Sequence, residues 1–293
     1  MVIGLGHSAV AHREYPAATV SRGEVPPEEV PMTVLIEELT REAAKRAYEA
    51  GATVILPTGS IEQHGAHLPV FTDTLVVSHI AREAARAATA RLHVAGTPPP
   101  VLVAPTVHTG VSHHHLPFAG TMSLPATTYI DVVSDLVRCL AGHGVARVLI
   151  LNGHGGNEHP NGTVVQRLVH DEGVHVVLAS ASYWTLGREA MAVLGTYDRF
   201  THVPGHAGDF ETSVVMALRP DLVDLEARRE PLAALQGLAH SARPGNFARA
   251  GGTTDNAAKA DGAFGRQMLD AVVGAVADYL VEFHRVPGVA ESS

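Results

Sequence analysis

Four stretches of the chain bring carboxylates and imidazoles together at short spacing. GSIEQHGAHLPVFTD (59–73) offers Glu62, His64, His67 and Asp73. Glu62 and His64 stand two residues apart, so on extended backbone their side chains point the same way. An oxygen ligand beside an imidazole suits a transition metal such as zinc, manganese or iron. NGHGGN (152–157) sets His154 among glycines, which let backbone approach a ligand. A phosphate loop is the competing reading, but neither GxGxxG nor a Walker lysine is present. GHAGDFETS (205–213) supplies His206, Asp209 and Glu211. Both acids would also suit the first turn of a helix, where the macrodipole favours negative charge. SHHHLPFAGT (112–121) adds His113, His114 and His115, which line a pocket or sit at the surface. Together these groups have the composition of a two-metal hydrolytic site, in which a carboxylate bridges ions about 3.5 Å apart. No GxSxG appears, which disfavours a Ser-His-Asp hydrolase.

Each stretch must be held in place by regular structure. Four apolar, β-branched runs without alternation, at 53–57, 101–107, 147–151 and 174–179, predict parallel strands covered on both faces. Helical patterns lie between and after them, at 40–50, 74–92, 127–142, 161–172, 211–218 and 261–284. This alternation predicts an α/β fold with a mostly parallel sheet and helices on both faces. The first two motifs follow directly on strands, and ligands of open α/β sheets bind beyond the strands' carboxyl ends. The stretches 109–125 and 195–208 predict long loops, and loops of that length are often functional. A third irregular region is expected at 239–257. One domain across 1–293 is expected, with 1–30 and 287–293 peripheral.

Composition excludes several classes. Hydrophobic residues make up 46% and charged residues 17%, so the chain buries a core and does not carry the signature of disorder. A net charge of −9 disfavours nucleic acid as a partner. No run approaches the roughly 18 apolar residues that span a bilayer. The N-terminal stretch lacks a basic n-region with a long apolar core, which predicts a cytoplasmic protein without a signal peptide. The single cysteine, Cys139, cannot form an internal disulfide, and its apolar neighbours at helical spacing predict a buried structural thiol.

The three motifs, in this order, resemble the creatininase (creatinine amidohydrolase) family. The resemblance spans about 53–218 and is closer to members carrying NGHGGN than to creatininase proper. It implies a three-layer α/β/α sandwich, often assembled into hexamers, and a binuclear centre of two divalent transition-metal ions (Zn, Mn or Fe). By position, Glu62 and His154 would hold one ion, His64 the other, and Asp73 would bridge. His206 matches the family's acid/base near the leaving nitrogen, and His115 a pocket histidine. The resemblance implies a hydroxide activated by two metals as nucleophile on a small cyclic amide, formamide or short peptide. Creatininase proper has a metal-binding Glu where this chain has Gly156, and an aromatic residue where it has Gly155; both positions face the substrate in that likeness. The SYW at 182–184 resembles the segment that places an indole, here Trp184, by the substrate. With Gly156 unable to ligate, the second ion needs another acid. Glu211 is expected to supply it, with Asp209 as the alternative. Competing readings are a metal-dependent lyase or isomerase on a small hydroxylated substrate, or a non-catalytic small-molecule-binding member of the fold.

Overall fold

The computed structural model describes residues 33–94, 96–231, 248 and 251–289. They fall in one compact unit, Pro31–Ser293. The expected peripheral segment 1–30 lies outside the described residues, as does much of the irregular region 239–257.

Four strands form one wholly parallel sheet: β1 (Thr53–Thr58), β2 (Val101–Val103), β3 (Arg147–Asn152) and β4 (Val177–Ser182), in the order β2-β1-β3-β4. Side chains alternate across a strand, and here the alternation feeds two cores. Ile55, Leu149 and Leu151 join one buried cluster; Val54, Leu56, Val148 and Ile150 join the other. The helices α1 (Arg41–Glu49), α3 (Ala126–Gly142) and α4 (Glu158–Val165) cover the second face. The first face is covered by α2 (Thr72–Leu92) and by elements from the C-terminal half. These are α5 (Tyr183–Leu186), α6 (Arg188–Val193), α7 (Thr196–Arg199), α8 (Asp209–Leu218) and α9 (Gly262–His284). The result is the three-layer α/β/α sandwich that the sequence predicts.

Several boundaries differ, each for a physical reason. Strand β2 stops at Val103 because Pro105 has no N–H to donate to a ladder. The chain still follows β1, through Ala104 N–H to Ile55 O and Val107 N–H to Pro57 O. Strand β4 starts at Val177 instead of 174, because pairing begins opposite Arg147 after the turn at Gly173. The helix expected at 161–172 starts earlier, at Glu158, and ends in a π-helical turn, Gln166–Asp171. Cys139 is exposed, not buried: it falls on the solvent side of α3, whose buried side carries Tyr129, Val133 and Val137. Among the described residues, no helix is long and apolar enough to cross a membrane.

Candidate metal centre

The carboxyl edge of the sheet gathers side chains from all four motifs. Glu62 and His64 follow β1, and His154 follows β3. Asp73 sits in the first turn of α2 and Glu211 in the first turn of α8. Two helix N-termini thus bring partial positive charge to buried carboxylates. Glu62 is 1% exposed, His64 0%, Asp73 4% and Glu211 6%. Asp73 spans the cluster: Oδ1 lies 3.2 Å from His64 Nε2 and Oδ2 3.0 Å from His154 Nδ1. Glu62 Oε1 is 3.3 Å from His154 Nδ1, and Glu211 Oε2 is 3.7 Å from His64 Nε2.

The backs of the two histidines fix what their fronts can do. His64 Nδ1 lies 3.1 Å from the Glu62 carbonyl, which can only accept, so that nitrogen carries a proton. His154 Nε2 lies 3.2 Å from the Val111 carbonyl and 3.1 Å from Ser112 Oγ, so it donates there. In each neutral ring the other nitrogen is then a lone pair facing carboxylate oxygens. Lone pair against lone pair is repulsive unless a cation stands between them, either a proton or a metal ion. A histidine held from behind by a carbonyl is the usual arrangement of a metal ligand. Glu62 Oε2, His64 Nε2 and Asp73 Oδ2 are buried and make no hydrogen bond, the condition of atoms awaiting an ion. Ligand atoms of Glu62, His64 and Asp73 lie within 4.8 Å of one another, as do those of His64, His206 and Glu211. The residues present therefore fit a divalent transition metal.

Without an ion, protons take its place. Burial opposes charge on His64, but Asp73 and Glu211 outweigh it and hold its pKa well above the ordinary value. Burial likewise opposes charge on His154, and Glu62 and Asp73 overturn it. Burial would raise Glu62, yet His154, with His206 and His115 beyond it, holds the carboxyl well below the usual range. His206 and His115 go the other way. Burial pushes His206 down to about 3, helped by His64, and pushes His115 down to about 2.

The remaining expected residues are placed as follows. Asp209 Oδ1 accepts from the Lys259 backbone N–H at 2.7 Å, so this acid anchors the chain before α9, while Glu211 faces His64. Gly156 leaves no room for a side chain: a Cβ there would lie 2.2 Å from the Val111 carbonyl and 2.4 Å from His154 Nε2. A Cβ at Gly155 would meet nothing within 4 Å. His115 is buried, with Nε2 3.5 Å from Glu62 Oε1, whereas His114 is exposed, its ring tilted at 49° to that of His115 with centroids 4.2 Å apart. His67 turns to Thr212 Oγ1 at 2.9 Å. Trp184 packs against the hydrophobic core, edge-on to Tyr183 at 4.9 Å. Tyr183, not singled out in the sequence, is the aromatic residue that feels the centre: burial raises its pKa, with Glu211 and Asp73 adding to the effect.

The asparagines of NGHGGN also had no assigned task. Asn152 clamps His154 from both sides, its Nδ2 donating to His154 O at 2.8 Å and its Oδ1 accepting from His154 N–H at 3.1 Å. Asn157 Nδ2 donates to Gly59 O at 3.0 Å, and its Oδ1 accepts from Val111 N–H at 2.9 Å. It thereby ties the first motif to the loop of the fourth.

The family model for creatininase, described as creatinine amidohydrolase, matches residues 37–280. The chain belongs to the creatininase family. It is 33% identical over 248 residues to the mycofactocin precursor peptide peptidase of Mycobacterium tuberculosis, covering 82% of this chain and 88% of that one. It is 29% identical over 216 residues to the creatinine amidohydrolase of Pseudomonas putida, covering 66% and 75% respectively. A solved manganese form of creatininase superposes with a TM-score of 0.71 at 28% identity, covering 85% of this chain and 98% of that one. With these relatives and this cluster, the chain is a metal-dependent amidohydrolase acting on non-standard carbon–nitrogen bonds.

Two outcomes are expected of this family member. Glu211→Gln should remove one metal equivalent and most activity with the fold intact by circular dichroism. Asp209→Asn should keep the metal and lower the melting temperature, since it weakens only the anchor to Lys259. Reversed results would give the ligand role to Asp209. Metal affinity should also rise with pH. The raised pKa values keep protons on His64 and His154 at neutral pH, and an ion must expel them. Calorimetry in buffers of different ionisation enthalpy should show protons released on binding, fewer as pH climbs through those raised values. Binding without proton release at neutral pH would contradict the charge assignment.

Proposed function

We propose that the chain hydrolyses a small amide using two divalent transition-metal ions, one held by Glu62, Asp73 and His154 and the other by His64, Asp73 and Glu211. The observation that carries this reading is the convergence of three buried, hydrogen-bond-free ligand atoms, Glu62 Oε2, His64 Nε2 and Asp73 Oδ2. Asp73, with one oxygen toward each histidine, would be shared by the two ions. When bound, such ions lower the pKa of water from about 15.7 toward 7 and polarise an amide carbonyl.

The protein's own groups do the rest. His64 and His154 are locked by the carbonyls behind them. Glu211 is held by the Ala207 backbone N–H. His206, neutral in its buried setting, is assigned to proton transfer at the departing nitrogen. The candidate substrates are a cyclic amide, a formamide and a short peptide. The longer and higher match to the peptide peptidase favours the last.

Zinc- or manganese-loaded protein assayed on short peptides, formamides and cyclic amides should release a free amine, with the products together heavier than substrate by one water. A product of unchanged mass would favour the lyase or isomerase reading. His206→Ala should cut turnover by about 10²–10⁴-fold, the range for a lost acid/base, with metal content unchanged. Loss of one metal equivalent in that variant would make His206 a ligand.

A further inference from the structure

Gly205 stands just before His206 and Gly208 two residues after it, and both admit a segment that is distant in the chain. A Cβ at Gly205 would lie 2.8 Å from Thr254 Oγ1, and one at Gly208 would lie 2.3 Å from Asp255 Oδ2. Thr254 and Asp255 therefore press against the turn that carries His206. That turn is not one its own residues favour. Gly205 has φ 70° and Ala207 φ 52°, the left-handed region that an alanine rarely adopts. Such a conformation persists only where the surroundings hold it.

Thr254 supplies the hold at His206 itself. Its hydroxyl oxygen accepts from the His206 backbone N–H at 2.8 Å and donates to the His206 carbonyl at 3.2 Å. The Thr254 backbone N–H donates to that same carbonyl at 2.9 Å. One hydroxyl, with a proton and two lone pairs, thus meets both backbone polar groups of His206. The next residue fixes the far side of the turn. Asp255 Oδ1 accepts from the N–H of Asp209, the first residue of α8, at 2.8 Å, and from the Ala257 N–H at 3.0 Å. Between these two anchors the Ala207 N–H donates to Glu211 Oε2. The His206 ring reaches the centre, with Nδ1 3.6 Å from Glu62 Oε1 and its centroid 4.4 Å from that of His64.

We infer that Thr254 is a positioning residue for His206: by gripping the backbone on both sides of that residue, it keeps the ring where a departing nitrogen is protonated. The protonation rests on the amidohydrolase reading; the grip does not. Placement matters because a shift of about 1 Å can cost about 10²-fold in rate. The consequence is selective. A departing alkylamine has to gain a proton, whereas p-nitroaniline leaves with far less help from an acid. Loosening His206 therefore slows the hydrolysis of a peptide more than that of an anilide. A general weakening of the fold would slow both alike.

Thr254→Val keeps the shape and removes the hydroxyl, while Thr254→Ser keeps the hydroxyl. Both are compared with the wild type, zinc-loaded, on a short peptide and on the p-nitroanilide of the same acyl group. In Thr254→Val, kcat on the peptide should fall by about 10–100-fold and on the p-nitroanilide by less than about threefold, at unchanged zinc content. Thr254→Ser should stay within about threefold of the wild type on both. Equal losses on the two substrates, an unaffected peptide rate, or a Thr254→Ser as impaired as Thr254→Val overturns the inference. A second measurement needs neither a variant nor a substrate, and it decides if Thr254→Val does not fold. In the zinc-loaded wild type, the His206 backbone amide should exchange with deuterium far more slowly than exposed loop amides. Exchange at the rate of an unprotected amide overturns the inference. A protected His206 amide in a protein that hydrolyses neither substrate would leave the grip of Thr254 standing and remove the functional reading alone.

Discussion

Three carboxylates, those of Glu62, Asp73 and Glu211, are buried close together at the carboxyl edge of one sheet, and positive charge has to be brought to them. An unpaired buried carboxylate costs several kcal/mol after relaxation, and a group of them would not persist in a folded chain. Helix N-termini supply part of the compensation, since Asp73 opens α2 and Glu211 opens α8. The rest must be a cation at the lone pairs of His64 and His154. Protons can serve, as the raised pKa values of those rings show. Divalent ions serve better, because one ion can satisfy several carboxylate oxygens at once. Metal binding and the integrity of this edge are therefore two sides of one electrostatic requirement.

A cluster of this kind acts on a substrate only if its members cannot rearrange. The fold holds each of them from behind. Carbonyls of Glu62 and Val111 take the outward protons of His64 and His154, and Gln63 meets His206 Nε2. Asn152 locks the backbone of His154 and reaches Ser182 at the end of β4. Gly156 lets the Val111 carbonyl come within reach of the His154 ring, which explains why no ligand can come from that position. A buried acid does come to His64 from a different element, Glu211 of α8.

Much of this was legible in the sequence, because its signals were local. Glu62, His64 and His154 were readable because each follows an apolar strand, and strand ends are where α/β sheets bind ligands. The layered fold was readable from helix and strand periods. What escaped depends on partners distant in the chain. Gln63 meets His115, His206 and Gly252, none of them near it in sequence. Asp209 and Glu211 have the same local character, and distant partners separate them, Lys259 for the first and His64 for the second. The exposure of Cys139 is not legible either, because a run of apolar neighbours does not say which side of α3 faces solvent. Strand β2 is shorter than its apolar run because Pro105 breaks the ladder inside that run.

Under the proposed function, two cations satisfy the buried carboxylates in place of protons or waters. Crystals of protein purified without chelators, measured on both sides of the absorption edges of zinc, manganese and iron, test it directly. Two anomalous peaks about 3.5–4 Å apart are expected on either side of the Asp73 carboxylate, one beside His154 and one beside His64 and Glu211. A single peak, or none with His64 and His154 in direct contact with the carboxylates, would contradict it.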